Sequence, residues 1–164
     1  NMIQLNVTAL VDLTWRLVPQ LSRTRQAFII NVASTAAFQP GPNMAISYAT
    51  KACVLSFSEA LHEELRWPRV AVSALCPGAT ASEFASEANM TYTLLFKAGA
   101  MDAATVVRKA LAGRHRAIVI TGLHNALMVW LGKLSPRVVT RRIAASPRVE
   151  KAFPARPSRH CATR

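Results

Sequence analysis

The sequence predicts an α/β fold: a partial doubly wound parallel sheet of about three strands with flanking helices. Three observations carry that reading. Three short runs are almost continuously apolar, A-F-I-I-N-V-A at 27–33, V-A-V-S-A-L-C at 70–76 and A-I-V-I-T at 117–121, as strands covered on both faces are. Segments of helical period separate them, and strands alternating with helices imply right-handed crossovers and a parallel sheet. Each run also gives way to a turn, after Ala33, after Cys76 and after Thr121. In such sheets ligands sit beyond the carboxyl ends of the strands, so Ser34 and Pro77-Gly78 are candidates for one shared site.

Taken in order, Met2 to Leu21 spaces Leu5, Leu10, Leu13, Leu17 and Leu21 three to five apart, which predicts a helix with one broad apolar face. Pro19 is expected to help stop it. After the first strand, Met44 to Arg66 reads as a long helix closed by Trp67-Pro68. The second strand ends in Pro77-Gly78, and an irregular stretch follows. Asp102 then has the chemistry of an N-cap for a helix through Leu111, with Gly113 past its end. Beyond Gly122, His124 to Leu134 and Pro136 to Ala144 read as short basic amphipathic helices, and Ser146 to Arg164, rich in Pro and Arg, as a loose tail. The expected division is 1–122 for the sheet-bearing part, 123–145 for a basic helical extension and 146–164 for a basic flexible tail.

Bulk properties narrow the function. The 164 residues are 51% apolar, enough for one core that hides roughly 70% of the unfolded surface. The net charge of +12 is concentrated late: from Lys133 onward nine basic residues face the single Glu150. Such a tail can attract nucleic acid or anionic lipid, but solvated basic tails without a partner are commoner. Nucleic acid is therefore not expected as a partner, while peripheral membrane contact through the tail stays open. Cys53, Cys76 and Cys161 are odd in number and lack ligand spacing, which supports neither a disulfide framework nor a zinc site. A cytoplasmic location is the default expectation. Ala117 to Leu131 is too short and too broken for a spanning helix of about 20 residues, and no signal peptide is visible. The helical pattern beginning at once after Asn1 leads us to expect a missing upstream portion.

The chemistry is concentrated in the run I-I-N-V-A-S-T-A-A-F-Q-P-G-P-N-M-A-I-S-Y-A-T-K, Ile29 to Lys51. Proton exchange at a carbonyl oxygen needs a donor made acidic enough near neutral pH. A Tyr serves when a nearby cation stabilises its phenolate, and a Lys four residues on shares its helix face. With Asn6 upstream and Cys76-Pro77-Gly78 downstream, the run closely resembles the catalytic half of a short-chain dehydrogenase/reductase, a family of NAD(P)-dependent oxidoreductases with a Rossmann-like fold. The resemblance covers Asn6 through Ser82 and continues more weakly to about Gly122. It implies that Lys51 lowers the pKa of the catalytic Tyr and holds the nicotinamide ribose, that Ser34 orients the substrate oxygen, and that Asn6 supports a proton-relay water. It further implies that Pro77, Gly78, Ala79 and Thr80 meet the nicotinamide carboxamide by their backbone, with Ser82 near the place of a cofactor-contacting Thr.

Two departures from the pattern stand out. The position four before Lys51 and thirteen after Ser34 is Ser47, so the register is intact and the catalytic Tyr position holds Ser. Tyr48 lies next door, rotated by about 100° around the helix. Either it reaches the site by local adjustment or it packs beside the site and proton transfer is lost or crippled; the second is the expectation. In addition, no G-x-x-x-G-x-G or G-x-G-x-x-G turn occurs among the six glycines, although backbone approach to a pyrophosphate needs one.

The remaining constellations read as structural. His62, His115, His124 and His160 share no metal spacing, Glu59, Glu63 and Glu64 form a solvated helix face, and no G-x-S-x-G elbow marks a hydrolase. The expected function is that of an NAD(P)-dependent oxidoreductase fragment interconverting a small-molecule carbonyl and a secondary alcohol, impaired by Ser47 and homo-oligomeric at full length. The alternative is a non-catalytic remnant of the fold that binds a protein or an anionic surface.

Overall fold

The computed structural model describes residues 2–42, 44–67, 69–81 and 101–144. Its centre is a parallel three-stranded sheet in the order β1 (Phe28–Val32), β2 (Ala71–Cys76) and β5 (Ile118–Ile120). Phe28 pairs with Ala71 and Val32 with Leu75, while Cys76 pairs with Ile120. The three predicted strands are these three, and all run toward the same edge. A second pairing, β3 (Thr80–Ala81) with β4 (Met101–Asp102), lies where the sequence had given only an irregular stretch. Two-residue strands carry no readable period, which is why composition did not reveal them.

The helices α1 (Ala9–Leu21), α2 (Ala45–Glu64), α3 (Ala103–Ala112), α4 (Leu123–Leu134) and α5 (Arg137–Ala144) follow the predicted order. Asp102 caps α3 as expected, its carboxylate accepting from the Thr105 N–H at 3.0 Å, and Gly113 stands at the far end. Pro19 does not stop α1, which carries it inside and runs on to Leu21. Proline so close to a carboxyl end gives up an internal bond at only one position, and the turn closes through Ser22 N–H to the Val18 carbonyl at 2.9 Å.

Side-chain alternation along β2 divides the core into two layers. Val72, Ala74 and Cys76 face α2, while Leu75 faces α3 with Val106, Ala110 and Val119. On the α2 side, Ala27, Leu61, Leu65 and Val70 fill the end where strands begin, and Ala33, Val54 and Leu55 fill the end where they finish. The expectation of a doubly covered strand holds for β2, whose last five residues are all buried, and fails for β1. Phe28 and Val32 are 42% and 52% exposed. Apolar continuity marks a hydrophobic strand but does not say whether both faces meet a helix, and β1 has its only described partner in β2.

Candidate active site

The carboxyl edge of the sheet carries Ser34, Lys51 and the Pro77-Gly78 turn. Ser34 follows β1 directly and is fixed by the backbone on both sides: Ala33 N–H donates to the Leu75 carbonyl at 2.8 Å and Thr35 N–H to the Pro77 carbonyl at 3.0 Å. Its hydroxyl oxygen accepts from the Ala36 N–H at 3.1 Å, capping the short 3-10 helix Thr35–Phe38. That bond uses the oxygen as acceptor and leaves the hydroxyl proton free to be donated elsewhere.

Lys51 reaches the same edge from α2. Its Nζ donates to the Val32 carbonyl at 2.8 Å, two residues before Ser34. Burial of the ammonium pushes its pKa down, and the neighbouring Cys76 partly offsets this. Cys76, fully buried, has its thiol pushed up to about 12 by burial, while the Ser34 N–H, Lys133 and Lys51 pull the other way. Ser34, Lys51 and Cys76 are thus neighbours at one strand end.

Asn6 lies in a π-helical turn, Gln4–Thr8, that leads into α1. Such turns place an extra residue in a helix and are frequent at functional sites. Asn6 Nδ2 donates to Thr50 Oγ1 at 3.1 Å, and Thr50 Oγ1 donates to the Ser47 carbonyl at 2.9 Å. The asparagine is therefore connected to the helical turn that bears Ser47. Tyr48 is half-buried, and its ring lies on Gly41, where a methyl group would overlap it. Burial raises the phenol's pKa, which is opposite to what a proton donor at this edge requires.

The turn after β2 continues the edge. Thr80 Oγ1 donates to the Gly78 carbonyl at 3.2 Å, and Met101 N–H donates to the Ala79 carbonyl at 3.0 Å. Ser82 lies outside the described residues. Two side chains on α4 join the site without having been singled out. The Asn125 carboxamide covers Gly78 and donates to the Thr121 carbonyl at 2.7 Å. Lys133 Nζ stands 5.1 Å from the centre of the Phe38 ring. The sequence carries no local signal for either contact: strand order puts the end of β5 at the same edge, but that the helix starting after Gly122 passes over it rests on tertiary packing. Gly122 makes that start with a φ of 91°, which a side chain would strain.

Among the described residues no group of three His, Cys, Asp or Glu is arranged to hold a metal ion, and no helix is long and apolar enough to cross a membrane.

The family model described as short chain dehydrogenase matches residues 1–93. The chain belongs to the short-chain dehydrogenase/reductase family. It is 34% identical over 77 residues to the 17-beta-hydroxysteroid dehydrogenase type 3 of Mus musculus, covering 47% of this chain and 25% of that protein. To the sulfoacetaldehyde reductase of Chromohalobacter salexigens it is 40% identical over 85 residues, 51% of this chain and 34% of the relative. Among solved structures, a short-chain dehydrogenase from Sphingobium yanoikuyae in complex with NADPH superimposes with a TM-score of 0.67 at 29% identity, over 93% of this chain and 57% of that one. The chain thus spans about a quarter of the 17-beta-hydroxysteroid dehydrogenase it matches. Short-chain dehydrogenase/reductase membership accounts for the Rossmann-like arrangement seen here, and the structural likeness extends past residue 93 into α3 and beyond.

Proposed function

We propose that this chain forms the nicotinamide and substrate half of an NAD(P)-dependent oxidoreductase that interconverts a carbonyl and a secondary alcohol, with proton transfer impaired by Ser47. The observation that carries the reading is the Lys51 ammonium at the strand edge, 2.8 Å from the Val32 carbonyl and beside Ser34. An ammonium has three donors; Val32 takes one, and Lys51 makes no ion pair among the described residues. Two donors remain for ribose hydroxyls, so the residues present fit that end of a nicotinamide dinucleotide. When bound, such a cofactor supplies the hydride.

The protein's own part is to hold the oxygen and deliver a proton. Ser34 can donate its hydroxyl proton in a hydrogen bond to the substrate oxygen, since its own oxygen is already engaged by Ala36. Pro77 to Thr80 line the cofactor side through their backbone, and Ser82 belongs to the same stretch. Asn6 fixes the helical turn of Ser47 through Thr50. A Ser hydroxyl at position 47 is shorter and far less acidic than a phenol, so the relay lacks its donor. Tyr48 does not replace it, because burial raises its pKa and its ring lies on Gly41.

The test is NADPH fluorescence titration of the protein, followed by reduction of a panel of simple ketones and aldehydes. Binding that is lost in Lys51→Met, with Ser47→Tyr raising the reduction rate about a hundredfold or more, is the expected outcome. Binding without any gain from Ser47→Tyr would show the register to be wrong. A non-catalytic remnant of the fold is the second reading, favoured by the Ser at position 47. It predicts no NADPH binding in either form. The homo-oligomeric state proposed for the full protein draws support from Leu5, Leu13 and Trp15, exposed by 74%, 58% and 79% on one helical segment.

A further inference from the structure

The opposite edge of the sheet, where the strands begin, carries a second concavity. Two adjoining clefts of about 510 Å³ and about 610 Å³ share Arg69, Ala71 and His115. Volumes of this order receive small molecules, but the lining here is cationic. Arg23 and Arg25 come from the turn before β1, Arg66 and Arg69 from the end of α2, and Arg114 from the turn before β5. They converge because parallel strands bring all their starting turns to one side.

Little negative charge balances them. Among the described residues Glu63 is the one acid in the lining, and it is paired with Arg66 at 3.1 Å. Arg23, Arg25, Arg69 and Arg114 make no ion pair among the described residues. Arg114 is held in place, donating to the Leu111 carbonyl at 3.0 Å and lying 5.9 Å from the Phe28 ring centre. The backbone points the same way. Gln26 and Arg69, each just ahead of its strand, have φ of 58° and 66°, the two left-handed non-glycine residues described. Glycine or asparagine would hold either position with less strain, yet one of them carries an arginine that lines both clefts.

We propose that this cleft binds a phosphate-bearing group with two or more negative charges. Guanidinium forks match phosphate oxygens two at a time, and a polyanion would relieve the repulsion among four unpaired cations. The site lies at the far end of the strands from Ser34 and Lys51, so it does not compete with them. A soluble polyphosphate ligand and a lipid head group share this chemistry.

Calorimetric titration of the full chain with sodium tripolyphosphate tests it. Saturable binding is expected. Arg25→Gln combined with Arg69→Asn, which tolerates the left-handed backbone, should weaken it about tenfold or more. The matched pair Arg141→Gln and Arg142→Gln on α5 should change it by less than about twofold, as screened distant charge does. If the cleft variant melts abnormally, Arg23→Gln with Arg114→Gln takes its place. Equal weakening by the cleft and α5 pairs, or no saturable binding at all, overturns the proposal. Sedimentation with vesicles of phosphatidylcholine and phosphatidylserine in equal parts separates the sources. Pelleting that the cleft variant abolishes assigns the lipid head group, and tripolyphosphate binding without pelleting assigns a soluble ligand.

Discussion

Cys76 shows how one side chain takes its character from its surroundings. It closes β2 beneath Ser34, fully buried, and burial raises the thiol from 9.0 to about 12. The thiolate is the reactive form, so iodoacetamide at neutral pH should label the exposed Cys53 at least about tenfold faster than Cys76, as peptide mass spectrometry would show. Folding stability should carry the same signature. Between pH 9.0 and about 12 the unfolded chain gives up this proton while the folded chain keeps it, so stability falls as pH rises through that window. Cys76→Ala should flatten that part of the slope in urea unfolding. The sequence marks this residue as the end of an apolar run and the start of the Cys76-Pro77-Gly78 motif, but not as a buried thiol. By contrast, Ser47 could be located by counting, because a distance of four along a helix is a property of the chain itself. The coverage of Gly78 by Asn125 could not, since it joins residues 47 positions apart in sequence through tertiary packing alone.

Within α2, β1 and β2, buried polar groups set sharper expectations than the apolar ones. Asn31 Nδ2 donates to Ser58 Oγ at 2.9 Å, and Ser58 Oγ donates to the Val54 carbonyl at 2.7 Å, with both residues buried. Ser58→Ala leaves the Asn31 amide without its acceptor and should cost about 1–3 kcal/mol in urea unfolding. Ser73, equally buried, has a hydroxyl with no partner among the described residues, so Ser73→Ala should be neutral or stabilising in the same assay. In the sequence, Ser56 and Ser58 are alike, two serines of the helical stretch 44–66 that read equally as helix surface or packing. Helix and strand existence was legible because period and apolar runs are local, whereas the partnership of Ser58 with Asn31 depends on α2 lying across β1. The same distinction explains the misreading of β1. Its residues have strand chemistry, but its exposure depends on what lies beside it.

At the scale of the molecule, the sheet separates two kinds of surface. One edge carries Ser34, Lys51 and the Pro77-Gly78 turn; the other carries the arginines. The outward face of the first helical segment adds a third, apolar surface, where Trp15 is 79% exposed. If like copies assemble through it, Trp15→Ser should weaken self-association about tenfold or more in sedimentation velocity, as loss of an interfacial aromatic anchor does, without lowering the melting temperature. The doubly wound architecture and the edge where the site lies were readable from strand and turn order. The helix that covers that edge was readable as a helix but not as a cover, because its seat on the 3-10 helix is a contact between distant segments.

The π-helical turn at Gln4–Thr8 has a consequence for insertions and deletions. Its wide coil absorbs one surplus residue. A deletion inside it is taken up as the segment tightens into ordinary α geometry, whereas deleting a single position of α1 just after it would swing everything upstream by about 100°. Asn6 would then face away from Thr50, and the turn bearing Ser47 would lose its brace although no atom beside Lys51 had been touched.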